Sequence, residues 1–333
     1  MQTWLLAVAV FLLFSLTGCG NADIPDWKDG EKLNVVTTLF PYYDFVRQIA
    51  GDYVELSLLI PAGMDSHSFE PTPSDIRMIE NADILIANGG HMEHWVEQVI
   101  DSLNHPDLQV VYMMDYLDVV EEEVMEGMEH NHVHSHVHAD GECTEDHDHN
   151  HDHEAAIEYD EHIWTSPVNA MEITEVIASV LKEADPQHAD DFEQAKNVYV
   201  TKLEELDRQF REIRSEAIHD IIIMGDKFPL RYFADEYDLR YRAAFSGCST
   251  DTEPSAKTIA YLIDKVKEDH LPVIYYLELS SPRVSEIIGE ETGAKPLLFH
   301  SCHNVTRREF EEGVTYLQLM EQNVVHLREG LCK

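Results

Sequence analysis

The stretch "DPQHADDFEQAKNVYVTKLEELDRQFREIRSEAIHD", residues 185 to 220, decides the architecture. Phe192, Ala195, Tyr199, Leu203, Leu206, Phe210, Ile213 and Ala217 recur at steps of three and four, which places them in one apolar stripe along a single helix. About 32 residues at a rise of ~1.5 Å each make a rod of roughly 48 Å, long enough to run along two domains. Such a rod is a stiff connector, unlike a glycine-rich hinge.

Strands and helices alternate on both sides of the rod. "LNVVTTL" (33 to 39) reads as a buried strand, and Pro41 suits the first turn of a helix that runs to about Gly51. "VELSLLI", "DILIAN" and "LQVVYM" continue the series. The pattern restarts after residue 218 with "DIIIMG", "LRYRAAF", "PVIYYLEL" and "AKPLLF", and a long helix is predicted from about Arg308 to Leu331. Short apolar runs between helices imply parallel strands covered on both faces. The predicted fold is α/β, with two parallel-sheet lobes (33 to 184 and 219 to 333) joined by the rigid helix at 185 to 218.

Composition narrows the partners. The chain has 333 residues, enough for two full cores, and a formal net charge of -41. Nucleic acid is excluded as a partner because its phosphates would be repelled, whereas cations suit such a surface. No Lys or Arg lies between Arg77 and Lys182, so the charge concentrates around "EHNHVHSHVHADGECTEDHDHNHDHE" (129 to 154), which holds nine histidines. A packed core has no partners for so many ring nitrogens, so the tract reads as a solvated acidic loop. Neutral imidazoles spaced two apart bind zinc weakly and interchangeably, which raises the local metal concentration.

The opening "MQTWLLAVAVFLLFSLTGCG" has an apolar run too short to span a bilayer comfortably, as in the core of an export signal. Its end, Leu16-Thr17-Gly18-Cys19, resembles the lipobox of bacterial lipoproteins, although no Lys or Arg precedes the run. That resemblance implies a signal peptide at 1 to 18, a lipid on Cys19, a linker at 19 to 32, and a membrane-anchored protein on the extracytoplasmic face.

Parallel sheets bind ligands beyond the carboxyl ends of their strands. The loops there hold His67 in "PAGMDSHSFEPTPSD", His162 in "YDEHIWTSPVNA", Asp226 in "GDKFPLRYF", and His300 and His303 in "HSCHN". Asp226 has a competing reading as a helix N-cap, and His303 rivals His300. His91 and His94 in "GGHMEHWVEQVI" read as a polar face near the cleft rim.

Over nearly everything from residue 33 onward, the chain resembles the metal-binding proteins of ABC importers for zinc and manganese. "PAGMDSHSFEPTPSDI", "NADILIANGG", "DEHIWTSPVNA" and "ADPQHADDF" carry the resemblance in that order, and a histidine-rich acidic loop is typical of the zinc branch. The resemblance implies two lobes on one helix, a metal held between them, an importer permease as partner, and a monomer. His67 and His162 match the family's first two ligands. A gap-free match of the third falls on Lys227, whose ammonium has no lone pair; a one-residue shift selects Asp226. His300 occupies the fourth place. Three imidazoles and one carboxylate favour zinc, with manganese as the alternative if Glu278 joins. Cys248 and Cys302 both follow strands of the second lobe and could approach each other to form a disulfide, with a thiolate ligand as the competing idea. A zinc hydrolase is the rival class, but neither HExxH nor GxSxG occurs.

Overall fold

The apolar runs become strands β1 (Leu33–Thr37), β2 (Val54–Leu58), β3 (Ile84–Ala87), β4 (Gln109–Tyr112), β5 (Ile221–Phe228), β6 (Arg240–Ser246), β7 (Val273–Tyr276) and β8 (Lys295–Leu298). The structure is a computed structural model that describes residues 32 to 128, 158 to 249 and 253 to 333. The expected signal peptide, Cys19, the linker up to residue 31, the histidine-rich tract and Cys143 lie outside the described residues. Two four-stranded sheets form, ordered β2-β1-β3-β4 and β6-β5-β7-β8. Every pairing is parallel. Strand order reverses beside β1 in one sheet and beside β5 in the other, the place where such sheets hold ligands.

The helices are α1 (Phe40–Ala50), α2 (Pro73–Glu80), α3 (His94–Ser102), α4 (Pro167–Ala184), α5 (Ala189–Glu216), α6 (Arg231–Glu236), α7 (Ala256–Glu268), α8 (Arg283–Thr292), α9 (Arg307–Glu311) and α10 (Tyr316–Leu331). Proline sits in the first turn of α1, α2 and α4, where its missing N–H has no helical partner to lose. The rod is α5. Its 28 residues span about 42 Å, slightly less than predicted, because Ala217 is already extended. It buries Phe192, Tyr199, Leu203, Leu206, Phe210 and Ile213 and packs on α1, α4 and α10. Lys196 is also buried there, held by Glu175 at 2.9 Å and Glu193 at 2.8 Å.

One predicted helix is broken. The expected run from Arg308 to Leu331 divides into α9 and α10 because Gly313 takes a φ of 72° and Thr315 starts a new helix with a capping box to Gln318. The break lets the Tyr316 amide donate to Asp44 Oδ2 at 2.7 Å and the Val314 carbonyl accept from Arg47 at 2.6 Å, fastening α10 to α1.

A second irregularity positions the site. Met224 pairs with Ala243 and Lys227 with Phe245, so β5 holds one residue more than β6 over this interval. The surplus makes a bulge at Gly225 and Asp226, which changes the face to which the following side chains point. Gly225 is required here, because a Cβ would lie 2.5 Å from Ser285 Oγ and 2.9 Å from the Ser285 amide nitrogen. Gly225→Ala is therefore expected to cost about 1–3 kcal/mol by overpacking. Urea denaturation should show a lower midpoint with an unchanged slope, and a midpoint equal to wild type would mean that α8 moves aside freely.

Candidate metal centre

His67 lies on a short 3-10 turn, Ser66–Ser68, in the loop after β2. Asp65 caps this turn, its Oδ1 accepting the His67 amide at 2.8 Å. His162 comes from the loop before α4, where Asp160 Oδ1 accepts both its backbone amide at 2.9 Å and its Nδ1–H at 3.0 Å. That carboxylate sets the tautomer, so Nε2 presents the lone pair. The Nε2 atoms of His67 and His162 stand 3.4 Å apart. Two nitrogens bound to one tetrahedral zinc at 2.0–2.1 Å are about 3.3–3.4 Å apart, so the pair is spaced as two ligands of one ion.

Burial lowers the His67 pKa to about 3, helped by His162, Lys227 and His303 and opposed by Asp65. The ring is therefore neutral, the form that binds a metal.

The second lobe contributes the loop after β8. Asn323 clamps His300 through its backbone, accepting the amide at 2.8 Å and donating to the carbonyl at 2.8 Å. Glu278 accepts from the Ser301 amide at 2.8 Å and the Ser301 hydroxyl at 2.7 Å. His300 Nδ1 is 4.0 Å and His303 Nδ1 3.5 Å from this carboxylate. Burial pushes the Glu278 pKa up, but the His303 hydrogen bond, both histidines and the Ser301 amide outweigh it and hold it at about 2. His300 Nδ1 and His303 Nε2 are buried without a hydrogen-bond partner. Such orphaned nitrogens suit a cation. Asn304 joins this loop to the first lobe, donating to the Pro61 and Met64 carbonyls at 2.9 Å each.

The structure thus brings His67 and His162 together and places His300 and His303 beside Glu278. Among the described residues, no group of three or more His, Cys, Asp or Glu side chains is arranged to hold one ion. Asp226, expected as the third ligand, is not brought to the pair. Its Oδ1 accepts the Lys227 amide at 2.8 Å, and Ser280 and the Leu277 amide bond its carboxylate, whose pKa burial raises. The bulge instead aims Lys227 inward, its Nζ 3.5 Å from Asp65 Oδ2.

The expected disulfide is also absent, since Cys248 and Cys302 are free thiols. Burial raises both thiol pKa values, Cys248 next to Glu122, Asp160 and Glu161, and Cys302 next to Glu278 and Asp44. Neither environment favours a thiolate. His91 and His94 are exposed, with ring centroids 5.6 Å apart. Sequence reasoning missed Asp160 and Asn323. The Asp-x-His spacing was a usable signal for Asp160, whereas Asn323 had none, lying 23 residues beyond the His300 it clamps.

Two parallel-sheet lobes on one long helix, with imidazoles from two first-lobe loops paired and further imidazoles in the loop after β8, define a solute-binding protein for a transition-metal ion. The chain is 34% identical over 327 residues to the "High-affinity zinc uptake system protein ZnuA" of Bacillus subtilis, covering 97% of this chain and 95% of that protein. It is 32% identical to the "Zinc-binding lipoprotein AdcA" of Streptococcus pneumoniae, covering 98% of this chain but only 60% of that longer protein. The crystal structure of the Zn(II)-bound ZnuA-like domain of Streptococcus pneumoniae AdcA superposes with a TM-score of 0.72 at 27% identity, covering 91% of this chain and 100% of that one. The chain belongs to the family of the periplasmic zinc-uptake complex component A, ZnuA, whose model matches residues 35–330.

The depressed His67 pKa has a consequence for stability. Between its ordinary value of 6.5 and its folded value of about 3, the unfolded chain binds more protons. The contribution is thus full above pH 6.5, falls as pH drops below it, and levels off near 3. Glu93, raised by burial from 4.5 to about 7, acts in the opposite sense between those values. Comparison with a variant separates the two. Metal-free wild type should lose more stability between pH 7 and pH 5 than His67→Gln does, measured by urea denaturation at each pH, and equal losses would contradict the shielding of His67.

Proposed function

We propose that this protein captures zinc outside the cytoplasm and delivers it to the permease of an ABC importer. The observation that carries this reading is the His67–His162 pair, with Nε2 atoms 3.4 Å apart and Asp160 behind His162. Nitrogen donors suit zinc, while manganese prefers more oxygen ligands. We assign the second-lobe donors to the loop after β8: His303 through its orphaned Nε2, with His300 beside it. Asp226 then supports the β7–α8 loop through Ser280 and Leu277 and does not bind the ion. No covalent step is involved. Release requires the second-lobe loop to withdraw from the first-lobe pair.

Two finer parts of the proposal fall outside the described residues. A lipid on Cys19 would hold a monomer at the membrane surface, and the 129 to 154 tract would collect zinc weakly and pass it to the cleft.

Competition titration with a chromophoric zinc chelator tests the site. His67→Ala or His162→Ala should abolish tight one-to-one binding while the far-UV spectrum is unchanged. His303→Ala should weaken binding strongly, whereas Asp226→Ala should leave it close to wild type; the reverse pattern would return the third ligand to Asp226. Asp160→Asn removes only the outer partner of His162 and should cost roughly tenfold to hundredfold in affinity. Wild-type affinity in either first-lobe alanine variant would sink the proposal.

A further inference from the structure

A cationic side chain stands where the cleft should welcome a cation. Lys227 Nζ is 3.5 Å from Asp65 Oδ2, and its side chain is only 12% exposed. Asp65 is the same carboxylate whose other oxygen caps the turn that carries His67. The ammonium thus pairs with the carboxylate that caps the His67 turn, on a strand whose bulge precedes it. Its charge reaches both Asp65 and His67.

We propose that Lys227 is a fixed like charge that repels the divalent ion at the histidine pair, weakening its binding and speeding its release. This rests on the zinc site assigned above. A protonated amine offers no lone pair, so Lys227 is not a ligand while charged. It acts through space, and the repulsion between one charge and two is strong where water is largely excluded. Asp65 offsets part of it. The effect depends on the ion's charge and not on its chemistry, so it lowers the affinity of every divalent metal by one common factor. Zinc retains useful binding because imidazole holds it well, whereas manganese, lower in the affinity order, is pushed out of range. Ion release to a partner is eased for the same reason, since the site is never fully neutralised.

The test measures zinc and manganese affinities of Lys227→Met, which keeps a similar length and an apolar stem but removes the charge. Both metals should bind about tenfold tighter or more, by the same factor, with slower zinc dissociation in stopped flow. Lys227→Gln, neutral but polar, should behave alike, and Lys227→Arg should return affinity to near the wild-type value. Unchanged or weaker zinc binding in both neutral variants would overturn the proposal, and weakening confined to zinc would identify the amine as a ligand. Failure of the wild-type protein to bind one tight zinc would count against the site itself, which separates that reading from this one.

Discussion

The hydrogen bond from the Trp164 indole N–H to the Ser301 carbonyl, 2.8 Å long and buried, ties the His162 loop to the His300 loop. Trp164 follows His162 by two residues, and Ser301 lies between His300 and His303. Tyr316 adds a second fastening, its hydroxyl donating to the Trp164 carbonyl at 2.9 Å. On the other side Tyr232, from the second lobe, donates to the Asp160 carbonyl at 2.7 Å. The residue that orients His162 is thereby held from behind by the opposite lobe. Each of these donors is buried, so breaking one costs the desolvation of an unpaired group as well as the bond. The relative position of the first-lobe and second-lobe imidazoles therefore follows from backbone carbonyls, which substitutions alter least.

The same arrangement separates two jobs that a metal site must perform. The first-lobe pair is spaced as zinc ligands, and burial keeps His67 neutral. In the second lobe His300 and His303 stand beside one carboxylate, Glu278, which Ser301 satisfies and which is held ionised. Affinity thus comes from a few pre-oriented nitrogens. The strongly acidic exterior adds a long-range attraction for cations that salt would screen.

Much of this was legible in the residues. Eight apolar runs became eight strands because a strand buried on both faces needs an unbroken apolar segment. The stripe from Phe192 to Ile213 became α5 because its period admits no other structure. His67 and His162 stand out from the phrases around them, one in a loop after a strand and one in the loop before a helix, and their Nε2 atoms do lie 3.4 Å apart. The bulge at Gly225 could not be read, since it depends on the approach of Ser285 from α8, a contact made across the fold. The preference for Asp226 over Lys227 rested on donor chemistry and could not foresee that the bulge would aim Lys227 inward. The cysteine pairing failed for a related reason: both thiols follow strands of one sheet, but Cys248 turns toward Asp160 while Cys302, at a φ of 63°, turns into the core beneath Glu278. The break at Gly313 was visible as a glycine, but only the docking of Tyr316 on Asp44 gives it a purpose.

The bonds from Asn304 to Pro61 and Met64 join residues 243 and 240 positions apart in the chain, and Tyr316 reaches Asp44 across 272. Contacts this distant form late, since the loops they close must first be ordered. Until α10 is ordered, Asn323 is not in place to hold the backbone of His300. The surroundings of His300 are therefore complete only once α10 has met α1.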